Sequence, residues 1–274
     1  MLDKADDLRE EASPVSPAPD RDFMAGLGKG LAVIECFDEH RERLTIAEIA
    51  AMTRLSRAAA RRCLLTLQRL GYAKFDGKFF RLAPRILRLG YAYLASSRFP
   101  QLLQPYVETL SEEIEESCSA SILDGHEVIY IARSAKKRIM SVDLSVGSRL
   151  PAYCTSMGRV LLASLDPADA KRRLEATERR RATPVTCTGI DELVELLQKT
   201  REQGYCVVDQ ELEAGLVSIA VPIVDSLGRT IAAINTSSQS ARISASEMAD
   251  QFLGKLLEAQ TNLRPLIKGS MLPP

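Results

Sequence analysis

The sequence predicts an α+β protein with two parts, a small helical module that ends in a β-hairpin and a larger module with a mainly antiparallel sheet. Three observations support this prediction. Two helix-capping patterns lie close together before residue 71, an Asp-Gly turn follows them, and the rest of the chain combines hairpin-like strands with amphipathic helices. With 274 residues, 46% of them hydrophobic, the chain is long enough to bury a core in each part.

The composition and the cysteine spacing exclude several classes of protein. No segment reaches the roughly 18 consecutive apolar residues that a membrane-spanning helix needs, and the acidic first residues are unlike a secretory signal. We therefore expect a cytoplasmic protein without a membrane partner. The two closest of the six cysteines are 19 positions apart, which is not a zinc-binding spacing, so we expect reduced, buried thiols. The sequence contains no motif that predicts a metal ion or a cofactor.

The net charge of zero hides a gradient along the chain. Residues 1–22 hold three basic and seven acidic side chains with few large apolar groups, which predicts a disordered tail. Residues 23–95 hold thirteen basic and six acidic side chains, and residues 96–274 hold twenty and twenty-three. The resulting charge of +7 on residues 23–95 is the electrostatic pattern expected of a module that binds nucleic acid.

The start of the basic segment predicts three helices. A first helix is indicated by apolar residues at helical spacing: Leu27, Leu31, Ile34 and Phe37. The segment Thr45–Glu48 is a capping box that opens a second helix, and Ser56 caps a third helix that Gly71 ends. The two later helices are joined by the short turn Thr53–Leu55, which predicts a helix-turn-helix motif.

The third helix has two different faces at about 100° per residue. Five residues cluster on the side expected to be buried: Ala60, Cys63, Leu64, Leu67 and Leu70. The outward side carries small and basic residues with one leucine: Arg57, Ala58, Ala59, Arg61, Arg62, Leu65 and Arg69. Alanines let a backbone approach a DNA major groove, and arginines pair with guanine or phosphate, so this face predicts a recognition helix. The alternative is a basic face that contacts only solvent, on which Leu65 would still need a partner such as the hairpin.

A β-hairpin follows the third helix. The turn Asp76-Gly77 separates the strands Tyr72–Phe75 and Lys78–Leu82. Three basic side chains of the hairpin are expected to contact the DNA backbone: Lys74, Lys78 and Arg81. A basic hairpin after a recognition-like helix is typical of a wing. Residues 23–83 therefore predict a winged helix-turn-helix domain with double-stranded DNA as its partner.

A linker helix is expected within residues 84–100. Pro84 suits its first position, where the missing N–H costs nothing. Two adjacent apolar stripes follow, formed by Ile86, Leu89 and Tyr93 and by Leu87, Tyr91 and Leu94. Because this face is wider than one contact needs, we expect it to pack on a partner as well as on its own domain. A helix buried within one domain is the alternative.

Residues 101–268 predict a mixed second domain. Helices are expected near Leu103–Ile114, Thr155–Ser164, Pro167–Ala176 and Asp191–Gln203. Strands are expected at Ser119–Leu123, Val128–Ala132, Met140–Leu144, Tyr205–Val208, Val217–Val224 and Thr230–Thr236. Ser244 and Glu247 form another capping box, which opens a closing helix. Strands in hairpins with helices at both ends imply a mainly antiparallel sheet.

Over residues 23–268 the chain resembles the IclR-type bacterial transcription regulators. The resemblance is carried by Leu44–Ala50 with Leu55–Arg62, by Leu150–Ala163, and by Asp209–Gly215 with Ser218–Ile223. The strings Ser56–Arg62 and Pro84–Ala95 look more narrowly like the branch that regulates the breakdown of aromatic acids through the β-ketoadipate pathway.

The resemblance implies a winged helix-turn-helix joined by a helix to a GAF/PAS-like effector domain. It further implies a homodimer built largely through the DNA-binding end, often paired into tetramers, and a small organic or aromatic acid as effector. The expected DNA-binding residues are Thr45, Ser56, Arg57, Ala58, Ala59, Arg61, Arg62, Lys78 and Arg81. In the family the acid lies under the loop that matches Ser156 and Met157, with polar contacts from positions that match Asp209, Ser218, Asn235 and Ser237.

Several features of this expected effector site leave alternatives open. Backbone N–H groups at the start of the helix near Ser156 would attract a carboxylate, and Arg133 could bind one as a fork or form a surface ion pair instead. Asp209 beside an anion would have to bond ligand hydroxyls or be protonated, and a structural role at the strand end is equally open. The positions of Ser218 and Asn235 are often Cys and Ser in the family, so the identity of the effector does not carry over.

Three functions are compared on these grounds. A ligand-responsive regulator that binds an operator near its own gene explains the basic winged module and the second domain. An enzyme is disfavoured because the sequence has no catalytic triad, metal cluster or paired carboxylates. The remaining alternatives are a regulator of an unrelated small-acid pathway and a constitutive DNA-binding protein without an effector.

Overall fold

The structure is a computed structural model that describes residues 22–38, 41–136 and 144–267. The predicted tail 1–22, apart from Asp22, and the predicted strand Met140–Leu144, apart from Leu144, lie outside the described residues. The chain divides into two compact units, Met1–Leu89 and Gly90–Pro274. None of the helices in the described ranges has the length and apolar character needed to cross a membrane.

The first unit contains the predicted three helices and a hairpin. Its elements are α1 (Ala25–Ile34), α2 (Ile46–Thr53), α3 (Arg57–Arg69), β1 (Ala73–Phe75) and β2 (Phe80–Leu82). Both predicted caps form: Thr45 and Glu48 make a reciprocal capping box, and Ser56 Oγ accepts the backbone N–H of Ala59. These caps fix where α2 and α3 begin, and so determine the turn between them.

The hairpin forms, but its turn lies one residue later than predicted. Lys74 pairs with Arg81 and Phe75 with Phe80, which leaves Gly77 and Lys78 at the tip. The cause is the Asp76 carboxylate, which accepts the backbone N–H groups of Lys78 and Phe79 and so occupies the first turn position. Leu44 exchanges two backbone hydrogen bonds with Phe80 and so forms an isolated bridge to the hairpin.

The core of the first unit lies between the three helices and the hairpin, with Val33, Ile49, Leu64 and Phe80 almost fully buried. Leu70 was predicted to be buried and is 51% exposed. It follows the last turn of α3, where it borders an open groove rather than the core.

The linker region is divided into two helices. A 3₁₀ turn at Pro84–Ile86 precedes α4 (Leu87–Ser96), and the extended backbone of Ser97 separates α4 from α5 (Arg98–Ile114). All of α4 is described, and none of its residues is buried. Leu87 and Tyr91 are 71% and 70% exposed. The alternative in which this helix is buried within one domain is therefore wrong.

The described part of the second unit is built on a six-stranded antiparallel sheet. Its strands are β3 (Ser117–Asp124), β4 (Glu127–Ser134), β5 (Arg149–Pro151), β6 (Cys206–Asp209), β7 (Leu216–Val224) and β8 (Thr230–Gln239), in the order β5-β4-β3-β8-β7-β6. Its other helices are α6 (Ser156–Ala163), α7 (Pro167–Ala176), α8 (Ile190–Gln203), α9 (Ala245–Met248) and α10 (Gly254–Leu263), the last two joined by a π-helical segment, Ala249–Leu253. The predicted α+β class with an antiparallel sheet is confirmed.

Each face of this sheet has its own apolar core, because successive residues of a strand point to opposite faces. On one face Val217 and Ile219 join a cluster with residues of α5 and α10. On the other face Ala220 and Ala233 join a cluster with residues of α6, α7 and α8. The second face also carries the polar residues described below.

Candidate functional site

The predicted DNA-binding residues lie at the surface of the first unit. Ser56, Arg57, Ala58, Arg61 and Arg62 are exposed, and Ala59 and Thr45 are half-buried. In the hairpin, Lys74, Lys78 and Arg81 are exposed. Thr45 and Ser56 are occupied as helix caps. Leu65 is 36% exposed, so the expected burial of this side chain by the hairpin is not observed. The outward face of α3 therefore combines guanidinium groups, alanines and one exposed leucine.

The wing also contains a basic residue that the sequence reasoning missed. The Arg43 guanidinium and the Lys78 ammonium lie 5.5 Å and 5.0 Å from the centre of the Phe79 ring. Arg43 precedes the capping box and reaches the hairpin because Leu44 pairs with Phe80. Only the strand pairing reveals this contact, since more than thirty positions separate Arg43 from the tip.

An apolar groove of about 610 Å³ runs along α1 and α3. Among the residues that line it, Leu27, Leu31, Leu70 and Leu89 are 47–60% exposed, and Met24 is 71% exposed. Arg62 also borders the groove. A contiguous apolar surface of this kind on a folded unit commonly marks an interface.

In the second unit, two rows of side chains cross the sheet, and all their members except Ser119 and Ala220 line the floor of a cavity. The first row joins Val208, Ser218, Ser237 and Ser117 on the neighbouring strands β6, β7, β8 and β3. The second row joins Ala220, Asn235, Ser119 and Arg133. Neighbouring strands lie about 4.8 Å apart. Small polar groups that are distant in sequence therefore form one continuous surface.

The start of α6 lies over this floor. Thr155 caps the helix by accepting the Gly158 N–H, so the N–H groups of Ser156 and Met157 have no partner within the helix. Gly158 is required here, because any side chain would overlap the Ala152 carbonyl oxygen. The close turn before α6 brings Cys154, Ser156 and Met157 to the cavity.

Two buried polar atoms in the cavity have no hydrogen-bond partner among the described residues, Ser156 Oγ and Asn235 Oδ1. Their residues are 1% and 7% exposed. Leaving such an atom without a partner costs about 1–3 kcal/mol, so the protein gains if a ligand supplies one. These atoms indicate a polar ligand.

The charged groups of the cavity favour an anion. Arg133 lines it and donates Nη1–H to Ser119 Oγ at 3.0 Å, and Lys136 lines it as well. Glu116 at its rim is engaged, since its carboxylate accepts the Ser238 hydroxyl at 3.0 Å and pairs with Arg242 at 2.9 Å. Together with the α6 N-terminus, this arrangement suits a carboxylate.

Six of the seven effector residues expected from the sequence line this one cavity: Arg133, Ser156, Met157, Ser218, Asn235 and Ser237. Asp209 does not, because it lies exposed at the end of β6, outside the described lining. Arg133 reaches this lining from β4 and donates to Ser119 Oγ on β3.

The sequence did not indicate five further residues of the lining, one tyrosine and four apolar residues: Tyr130, Leu144, Val208, Leu212 and Leu216. Burial raises the pKa of Tyr130 to about 12, so its phenol stays protonated and neutral. Burial likewise raises the pKa of Cys154 to about 11, so this thiol is not a nucleophile at neutral pH.

A buried ion pair lies beside the cavity. Arg159 Nη2 is 2.6 Å from Glu211 Oε2, and their side chains are 2% and 12% exposed. Burial alone would lower the pKa of Arg159, but the hydrogen bond and charge of Glu211 outweigh it and hold that pKa above its ordinary value. Arg159 therefore remains a cation.

Both units match models of one protein family. The family model of the IclR helix-turn-helix domain matches residues 26–77, and that of the C-terminal domain of the bacterial transcriptional regulator IclR matches residues 91–264. The chain is 48% identical to the Pca regulon regulatory protein of Pseudomonas putida, over 89% of this chain and 84% of that protein. It is 39% identical to the p-hydroxybenzoate hydroxylase transcriptional activator of Acinetobacter baylyi, over 90% of this chain and 93% of that protein.

Among similar solved structures is the inducer-binding domain of a double mutant of the PobR transcription factor from Acinetobacter, in complex with 3-hydroxybenzoic acid. The match has a TM-score of 0.58 and 35% identity, and it covers 61% of this chain and 98% of the solved chain.

Proposed function

Because the chain belongs to the IclR family of bacterial transcriptional regulators, we propose that a hydroxylated aromatic acid is the effector through which it controls aromatic-acid breakdown. The chain is a DNA-binding regulator, not an enzyme, as its relatives of 48% and 39% identity are named regulators of such pathways. The bound 3-hydroxybenzoic acid in the similar inducer-binding domain supports this class of effector.

One observation carries the proposal: the cavity presents cationic groups for an acid together with the unpartnered oxygens of Ser156 and Asn235. The carboxylate would bind Arg133 or the N-terminus of α6. A ring hydroxyl would satisfy Asn235, and Met157 and Leu212 would contact the ring. Ser218 and Ser237 would complete the polar wall of the site.

On the DNA side, the helix α3 would enter the major groove. The residues assigned to this surface are Thr45, Ser56, Arg57, Ala58, Ala59, Arg61 and Arg62, with Lys78 and Arg81 of the wing on the phosphates. Thr45 and Ser56 would act there through their cap positions, which hold α2 and α3 in place. The partner is an operator near the gene of the protein.

The protein would act as a homodimer, with tetramers as a further assembly. The exposed apolar surfaces of α1 and α4 support this, because a second copy would cover them. We assign residues 23–83 to the DNA-binding domain, 84–100 to the linker and 101–268 to the effector domain. Effector binding would change the spacing of the two winged modules and hence their fit to DNA half-sites. The cytoplasm is the compartment in which such a regulator works.

The test combines a gel shift with calorimetry on the full chain. We expect specific binding to the intergenic DNA beside the gene, and a change in that binding when p-hydroxybenzoate, protocatechuate or β-ketoadipate is added. An Arg133→Gln variant should lose affinity for every acid and keep its affinity for DNA. Specific DNA binding that no acid changes would contradict the effector and favour a constitutive DNA-binding protein.

A further inference from the structure

The start of α6 and the loop that contains Leu212 line the effector cavity opposite the sheet, and we call them its roof. Two residues that are not part of the described lining connect these segments. Arg159 lies on α6, three residues after Ser156, and Glu211 lies between β6 and β7. Their side chains form the ion pair of 2.6 Å described above, almost completely removed from water.

Each partner of the pair is also bonded to a backbone group, and each adjoins residues that line the cavity. Arg159 Nε donates to the Tyr153 carbonyl at 2.8 Å, and the next residue, Cys154, lines the cavity. The Glu211 carboxylate accepts the Cys187 N–H at 2.8 Å, and the residue after Glu211, Leu212, lines the cavity. One ion pair thus joins α6, the turn before it and two loops.

The loops have further hydrogen bonds that depend on the position of Glu211. The hydroxyls of Thr183 and Thr186 donate to the carbonyls of Gln210 and Glu211 at 2.8 Å and 2.6 Å. Through these hydrogen bonds the segment 183–187 is attached to residues 210 and 211, which precede Leu212. Glu211 therefore links the loop that holds Leu212 to the segment 183–187 and, through Arg159, to α6.

Resting on the proposed function, we propose that Arg159 and Glu211 are positioning residues of the effector site, which hold the N-terminus of α6 and Leu212 at the distance from the sheet that an aromatic acid requires. Neither residue contacts the acid. A planar guanidinium is needed because it bonds Glu211 and the Tyr153 carbonyl at the same time, which a lysine ammonium cannot do with the same geometry.

The experiment uses the full chain and the variants Arg159→Lys and Glu211→Gln, which keep the size and much of the polarity of each side chain. Calorimetry with p-hydroxybenzoate and protocatechuate is run at a temperature at which circular dichroism shows every variant folded. We expect both variants to bind the acids about tenfold or more weakly, the scale of effect of a displaced binding group. Their DNA binding without effector should equal that of the unmodified protein.

The matched control is Asp225→Asn. Asp225 is a buried carboxylate that pairs with Arg229 at 2.7 Å in the turn between β7 and β8, at the strand ends away from Ser218 and Ser237. This variant should lower the melting temperature and leave the Kd for the acids unchanged.

The outcomes separate the proposals. A lower melting temperature with an unchanged Kd in Arg159→Lys and Glu211→Gln would overturn the positioning role, because the pair would then serve stability only. Failure of the unmodified protein to bind any acid would overturn the proposed effector class, and the positioning role with it.

Discussion

Asn235 and Ser156 each bury an oxygen that the described residues leave without a hydrogen bond. Asn235 is paired across the sheet with Ser119 and Ala220. If the proposed effector binds here, the amide oxygen of Asn235 would accept a hydrogen bond from a ring hydroxyl, so this residue would discriminate between acids with and without one.

Replacing Asn235 with Ala should weaken the binding of p-hydroxybenzoate by about 1–3 kcal/mol, because the ligand hydroxyl loses its partner. The binding of benzoate, which has no hydroxyl, should change much less. Calorimetry with the two acids measures the difference, and the exposed Asn262→Ala on α10 is the control. An equal loss of affinity for both acids would show that the ring hydroxyl does not bind Asn235.

Arg61 is exposed on the outward face of α3. Arg61→Ala should weaken operator binding by about 1–3 kcal/mol if Arg61 reads a base, and should reduce the salt slope by about one if it binds phosphate. Titrations at several salt concentrations distinguish these roles. Arg172→Ala, on α7 of the second unit, with a side chain that is 71% exposed, is the control and should bind DNA normally. An Arg61→Ala variant with the affinity and the salt slope of the unmodified protein would remove Arg61 from the interface.

At the scale of elements, short local patterns fix where the helices of the DNA-binding unit begin. Thr45 donates its N–H to Glu48 at 2.7 Å, and Glu48 donates its N–H to Thr45 Oγ at 3.3 Å. The bond from the Thr45 N–H holds the pKa of Glu48 below its ordinary value. The start of α2 is thus stabilised by an ionised carboxylate, which makes it sensitive to acid.

This predicts how stability depends on pH. With a lowered pKa in the folded protein, the contribution of Glu48 is complete above its ordinary pKa and disappears as the pH falls through the lowered value. Glu48→Gln should therefore lower the melting temperature near pH 7, and its difference from the unmodified protein should shrink towards pH 3. Melting curves across this range test it, with the exposed Glu42→Gln as the control. A difference that grows in acid would contradict this sign.

At the scale of the whole molecule, the two units divide the work. Residues 23–95 carry a net charge of +7, and residues 96–274 carry −3, so DNA attracts one part of the chain only. The same basic unit exposes the apolar groove along α1 and α3. A surface that is both basic and apolar suits a dimer that presents two recognition helices to one operator.

The double variant Leu27→Glu with Leu31→Glu should disrupt the proposed dimer, because it places charges in the groove. Sedimentation should show a dimer or larger assembly for the unmodified protein and a monomer for the variant, which should bind the operator more weakly and the acid with the same affinity. Leu227→Glu, at a position 76% exposed between β7 and β8, is the control. A dimer that survives the double variant would move the interface to another surface.

The sequence by itself determined the elements that depend on near neighbours. Thr45 with Glu48, Ser56, and Ser244 with Glu247 each act within three residues, so their hydrogen bonds can be read from spacing. Asp76-Gly77 indicated the hairpin but not the residues at its tip. The winged unit and the antiparallel second unit follow from these signals and from apolar periodicity. Local patterns do not show whether a residue at the end of a helix is buried. For this reason the predicted burial of Leu70 is wrong.

Only the tertiary structure decided what depends on register and on contacts between distant segments. The pairing of β3, β7 and β8 brings Ser117, Ser218, Asn235 and Ser237 together and leaves Asp209 outside the lining. Arg159 and Glu211 are separated by 52 positions, and no spacing rule links them. The physical reason is that a side chain's neighbours across a sheet or a core are set by the packing of whole elements, which near-neighbour chemistry does not fix.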